Sequence, residues 1–259
     1  MKVSRLVGSV VLVLALVAGS AMADSTNLNR PFTPLPSSGG GELTLQQILN
    51  NNIVGDTIDA ITGQSDAALW TLSDAGGSNS YLVSVTETAH QDGIFGIYSK
   101  STGQKLALIS NPGQTSRGFQ VNTAGDIKIG DDASVLGFGT IFGFFWKDNF
   151  EPYYSYTEDS KNSGQGFGQD ENIKALTYQV ADGTSFEGTL GGFFSESAGN
   201  NDWIMAFEDH PSTAGGDGDF NDAVFFVKDL ATVPEPGTML LLGSGLLGLA
   251  FYGRKRMKV

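Results

Sequence analysis

Cysteine is missing from all 259 residues, which excludes disulfides, thiolate metal sites and a cysteine nucleophile. Histidine is nearly missing as well: His90 and His210 are the only two, and no G-x-S-x-G elbow occurs. A Ser-His-Asp arrangement therefore has little to draw on. Basic residues are scarce, fifteen Lys and Arg against twenty-eight Asp and Glu, for a formal net charge of -13. Lys2, Arg5, Arg254, Lys255, Arg256 and Lys258 stand at the two ends, where no acid lies. Residues 24 to 236 thus hold nine cations and twenty-eight acids, a net charge near -19. That balance argues against nucleic acid or anionic lipid as a partner of this part and favours solubility and divalent cations.

The ends read as addresses. At the start, Lys2 and Arg5 precede an apolar stretch from Leu6 to Ala18 and a small-x-small site at Ala21-Met22-Ala23, so residues 1–23 are expected to be a signal peptide and Asp24 the first mature residue. At the other end Gly237 to Gly253 carries no charge and is followed at once by Arg254, Lys255 and Arg256. Seventeen residues rising about 1.5 Å each give about 25 Å, slightly short of a hydrocarbon core of about 30 Å and enough for a transmembrane helix over 237–253 with local thinning. The basic cluster should stay cytoplasmic. The tripeptide Pro234-Glu235-Pro236, the apolar stretch and the basic end, in that order, resemble the PEP-CTERM sorting signal over residues 233–259. The resemblance implies export, recognition by an exosortase-type membrane protease that cuts near Pro234, Glu235 and Pro236, and a destination at the cell envelope or in an exopolysaccharide matrix.

Between the addresses, residues 24–42 hold three prolines and a glycine run without apolar periodicity and read as a flexible leader. In "LTLQQILNNNIV", Leu45, Ile48, Leu49, Asn52 and Ile53 follow helical spacing, and Thr44 with Gln47 makes a capping box, so one short helix is expected. From Asp66 onward, segments of five to ten residues such as "SYLVSVTET", "GIFGIYSK", "SFEGTLGGFF" and "DWIMAFED" alternate with turn-prone Gly, Asn, Asp or Pro. Tyr81, Val83 and Val85 alternate with Leu82, Ser84 and Thr86; Trp203, Met205 and Phe207 share one face; "AVFFV" is apolar on both faces and belongs in a sheet centre. The expected fold is all-β, an antiparallel, jelly-roll-like β-sandwich over residues 43–232 with one N-terminal helix.

The densest chemistry lies in "GGDGDFND", Gly215 to Asp222, with Glu208-Asp209 just upstream. If "DWIMAFE" and "AVFFV" are antiparallel neighbours, Glu208, Asp209, Asp217, Asp219, Asn221 and Asp222 gather at one end of a sheet. Five carboxylates so close repel one another unless a cation sits among them, and Ca2+ accepts six to eight oxygens at about 2.3–2.6 Å. Residues 217, 219 and 221 match the first three ligand positions of a D-x-D-x-N calcium loop. The match to an EF-hand stops there, because Asp222 stands where its glycine would and Lys228 where its glutamate would. A calcium-binding β-loop is therefore the metal reading, and a solvated acidic turn the alternative. "FEDHPSTAGGDGDFNDAVFFV" also resembles the signature of domain of unknown function 4114, with Phe207, Glu208, Asp209, Asp217, Asp219, Phe220, Asn221 and Asp222 in matching places and similarity over residues 140–230. That resemblance implies a β-rich extracellular module with a calcium role and no established catalysis.

Two other readings compete. Trp146, Phe150, Tyr153, Tyr154 and Tyr156 crowd one stretch, and exposed aromatic platforms suit sugar rings, as in a carbohydrate-binding module. Glu187, Glu196 and Glu208 could supply the carboxylate pair of a glycan hydrolase. The expectation carried forward is a non-enzymatic, exported surface protein with calcium in its acidic loop, whose partners are the exosortase-type protease, exopolysaccharide or other surface proteins, and the membrane before processing.

Overall fold

The computed structural model describes residues 27, 30–36, 41–73, 77–85, 93–110, 114–148, 152–168, 171–188, 194–233 and Ser244, which is helical. The expected signal peptide 1–23, the tripeptide Pro234-Glu235-Pro236 and, Ser244 apart, the expected span 237–253 lie outside the described residues. Among the described residues no helix is long and apolar enough to cross a membrane. Residues 27–233 make one compact unit.

The body is mostly β, with one α-helix and antiparallel sheets. In chain order come α1 (Leu45–Asn52), β1 (Ile53–Val54), β2 (Gln64–Ser65), β3 (Trp70–Leu72), β4 (Ser78–Val85), β5 (Ile94–Ser99), β6 (Lys105–Ile109), β7 (Ser116–Val121), β8 (Ile127–Ile129) and β9 (Phe142–Lys147). They are followed by β10 (Ser155–Tyr156), β11 (Ala175–Gln179), β12 (Ser185–Gly188), β13 (Phe194–Ser197), β14 (Trp203–Phe207), β15 (Ala223–Val227) and β16 (Leu230–Thr232). Seven strands form the largest sheet in the order β2-β11-β14-β15-β4-β7-β8. A six-stranded sheet runs β16-β3-β9-β5-β6 with β10 on β9, and a small one runs β1-β12-β13.

Side-chain alternation explains how these layers stack. Trp203, Met205 and Phe207 of β14 and Ala223, Phe225 and Val227 of β15 face the six-stranded sheet, meeting Trp70, Phe95, Ile97, Phe142, Phe144 and Trp146 in the main core. Phe225 stacks on Phe95 at 3.8 Å between ring centroids, and Trp70 meets Trp203 edge-on at 5.5 Å. The residues between them, Ile204, Ala206, Val224 and Phe226, point to the opposite face, where Leu45, Ile48 and Leu49 of α1 and Phe186 of β12 cover them. The large sheet is thus buried on both sides at its centre, as "AVFFV" requires: every residue of β14 and β15 is buried. Burying each such large apolar side chain contributes about 1.5–3 kcal/mol.

Helix α1 begins as expected. The Gln47 N–H donates to the Thr44 hydroxyl and the Thr44 N–H donates to Gln47 Oε1 at 2.9 Å, closing the capping box. It stops where the β-branched Ile53 turns extended and pairs with Phe186 of β12.

Some details differ from the periodicity. "SFEGTLGGFF" is two strands, not one: it holds β12 and the start of β13, which pair with each other antiparallel. In β4 the register skips, with Val224 opposite Ser84 and Phe225 opposite Leu82, so Val83 is the extra residue of a bulge. Trp146, weighed as an exposed sugar platform, is only 2 % exposed and belongs to the core. Residues 27 and 30–36, read as flexible leader, lie against the body. Asn27 donates to the Thr157 carbonyl and accepts from the Asp159 N–H, and Arg30 pairs with both oxygens of Asp159 at 3.1 and 3.2 Å and donates to the Ala175 carbonyl. Phe32 packs on Phe220 at 5.5 Å.

Candidate metal centre

Strands β14 and β15 pair with Phe207 opposite Ala223, so Glu208-Asp209 and Asp222 emerge side by side at one end of the large sheet and residues 210–221 form the loop between them. The loop folds back over its own start. The Gly218 N–H donates to Glu208 Oε2 at 3.0 Å, and a Cβ built on Gly216 would lie 3.0 Å from Glu208 Oε1 and 2.5 Å from the His210 carbonyl oxygen. Gly218 has φ +73°, open to glycine at little cost. Phe220 adopts φ 58° without being glycine, a strain of order 1–3 kcal/mol that its burial between Phe32 and Phe167 offsets. The aromatic in "DFND" is thus the peg that holds the acidic residues on either side of it.

Of the six residues singled out in the sequence, three converge. Carboxylate oxygens of Glu208, Asp219 and Asp222 lie within 4.8 Å of one another, and all three residues are buried. Asp219 and Asp217 form a second such group with Glu42. Asn221 turns its side-chain amide to Asp219 Oδ2 at 2.7 Å and to the Leu43 carbonyl at 2.9 Å, so it orients Asp219 and ties the loop to the start of α1. The Asp209 N–H donates to Asp222 Oδ2 at 2.9 Å, while its carboxylate accepts from His210, whose Nδ1 lies 2.8 Å from Asp209 Oδ1. Glu208 is the most enclosed member: it is 0 % exposed, and its Oε1 has no hydrogen-bond partner.

Electrostatics follow from that enclosure. Burial first, then the charges of Asp217, Asp209 and Asp219, push the Glu208 carboxyl up to about 8. Burial and then Glu208 and Asp209 hold Asp222 well above the usual carboxylate range. Lys174, fully buried beside the cluster, donates to the Asp209 carbonyl at 2.9 Å. Burial pulls its ammonium down to about 8 against the attraction of Glu208, Asp209 and Asp222. One ammonium cannot balance four or five carboxylates, so neutrality here requires protons or a further cation.

The donor set fits calcium. All members are hard oxygens, and those of Glu208, Asp219 and Asp222 lie within 4.8 Å of one another, close enough for one ion with bonds of about 2.3–2.6 Å to reach them. Sequence reasoning missed Glu42 and Lys174. Glu42 precedes a helix and lies far from the loop in the chain, with nothing local to mark it. Lys174 could have been found by register: Ala175 pairs with Phe207, and the Glu208 N–H donates to the Lys174 carbonyl at 3.1 Å. Of the carboxylates weighed for glycan hydrolysis, Glu187 lies on β12 and Glu196 on β13 of the small sheet, where Glu196 pairs with Lys228 at 3.2 Å, whereas Glu208 lies at the end of the large one.

No curated protein and no solved structure matches the chain. A family model, the PEP-CTERM protein-sorting motif, matches residues 232–256. That motif implies an exported, envelope-associated protein that an exosortase sorts and processes.

Proposed function

We propose that residues 43–232 form a calcium-stabilised, jelly-roll-like module of a structural or adhesive protein, delivered by its tail to the cell surface or an exopolysaccharide matrix. In this reading the module resembles domain of unknown function 4114 over residues 140–230, and it associates with its surroundings instead of turning over a substrate. Glu208, Asp219 and Asp222 hold the ion, with Asp209, Asp217 and Asn221 completing or orienting the oxygen set. Calcium replaces the protons that Glu208 and Asp222 otherwise keep and clamps the β14–β15 connection to the start of α1 through Asn221.

The observation that carries the reading is Glu208: a fully buried carboxylate with an unpartnered oxygen, within ligand range of two further buried carboxylates. Leaving such a group unmade is costly, and a bound cation supplies the missing interaction. Thermal unfolding of the full chain in chelator and in millimolar calcium tests it. At a hundredfold excess over Kd, calcium should add about 2.7 kcal/mol. At about 2–4 °C per kcal/mol for a body of this size, Tm should rise by about 5–11 °C. An unchanged Tm removes the metal from the proposal.

A further inference from the structure

The outer face of the six-stranded sheet is paved with rings. Tyr98 of β5 lies over Gly143 of β9, where an added Cβ would come within 2.3 Å of its hydroxyl, and Phe145 of β9 lies over Gly96 of β5, where a Cβ would come within 2.2 Å of its ring. These two buried rings form a floor. On it stand Tyr156, edge-on to Tyr98 at 5.4 Å, and Tyr154, edge-on to Phe145 at 5.5 Å. Tyr154 and Tyr156 are parallel within 15°, 5.8 Å apart and half-buried, so each still presents surface to solvent.

The charge around this floor has the opposite sign to that of the chain. Lys105 Nζ lies 4.7 Å from the Tyr154 centroid and 5.7 Å from that of Tyr156, Lys147 Nζ 5.8 Å from Tyr154, and Lys161 Nζ 4.9 Å from Tyr98 and 5.7 Å from Tyr156. These are three of the nine cations in residues 24–236, drawn to one spot. The described acids of the same segments, Asp148, Glu158 and Asp159, are buried, and Glu158 faces Lys100 at 2.7 Å. What this face offers to solvent is ammonium beside aromatic surface.

We propose that this face binds an acidic polysaccharide, its sugar rings against Tyr154 and Tyr156 and its carboxylates on Lys105 and Lys161, while Lys147, which donates to the Asp148 carbonyl at 3.0 Å, adds to the positive field. Both halves of the ligand are matched: aromatic faces accept the C–H side of a pyranose, and the lysines take the charge that a neutral glycan would lack. A protein this acidic repels polyanions at long range, so the lysine cluster sets where one can approach. The site does not depend on the metal reading.

The test is calorimetric titration of the full chain, in calcium-free buffer, with a glucuronic acid oligosaccharide and with a cello-oligosaccharide of equal length. Binding of the acidic oligosaccharide alone, weakened by salt, is expected. K105Q/K161Q, both at exposed positions, should weaken it at least tenfold with an unchanged Tm, and Y154A/Y156A should do the same. Absent binding, equal affinity for the neutral oligosaccharide, or an unaffected lysine variant overturns the assignment. So does a dimer in sedimentation that K105Q/K161Q dissolves, which would make a second acidic copy the occupant. Should Y154A/Y156A fail to fold, the lysine variant still decides.

Discussion

Glu208 sets the terms at the scale of single residues. Its carboxyl titrates near 4.5 when free and near 8 when folded, so in metal-free solution the unfolded chain releases a proton that the native state keeps. Stability linked to this group is present below about pH 4.5, declines as pH rises towards 8 and is gone above it; Asp222 acts in the same direction. Melting curves in chelator should therefore show Tm falling across that window, and calcium should flatten the fall. E208Q removes the buried charge and one ligand together. In chelator near pH 8 it should raise stability by about 1–3 kcal/mol, and it should abolish most of the calcium-induced shift in Tm. The sequence made the acidic set legible because glycines and alternate aspartates advertise a tight oxygen-rich loop. It did not show that Asn221 points its amide at Asp219, nor that Glu42 and Lys174 join, since those depend on contacts between segments far apart in the chain.

Elements were legible where one face or both faces are apolar. Strands β14 and β15 follow their patterns almost to the residue because each must fill a layer on both sides. The capping box at Thr44 and Gln47 was legible because its hydrogen bonds join residues three apart. Strands β1, β2 and β16 were not, being two or three residues long and formed only where a partner lies beside them. The bulge at Val83 hid for the same reason: it is a property of β4 against β15, not of β4. Among the described residues, the stacking of Phe225 on Phe95 is the tightest ring contact across the two large sheets. Phe225→Ala should cost about 3–5 kcal/mol, read as a lower denaturant midpoint with the m-value unchanged.

At the scale of the whole molecule, the N-terminal segment works as a strap. Arg30 joins Asp159, in the turn after β10, to the carbonyl of Ala175 on β11, so one guanidinium bridges the two large sheets. Arg30→Ala leaves Asp159 buried without this partner and should cost about 3 kcal/mol, with cleavage near residue 30 accelerated in limited proteolysis. At the other end, replacing Pro234, Glu235 and Pro236 by alanine should leave the tail uncut, so that the envelope-associated protein retains residues 237–259 in intact-mass spectrometry. The sequence by itself determined the sorting motif, the β-rich class, helix α1 and the acidic loop, because each is written in neighbouring residues: periodicity, composition, or a motif read along the chain. Only the tertiary structure decided that α1 and β12 are what covers the outer face of the large sheet's centre, that Trp146 is core while Tyr154 and Tyr156 face outwards, and that Glu208 is sealed from water. Burial and side-chain pairing come from which strands pack together, and no local pattern specifies them.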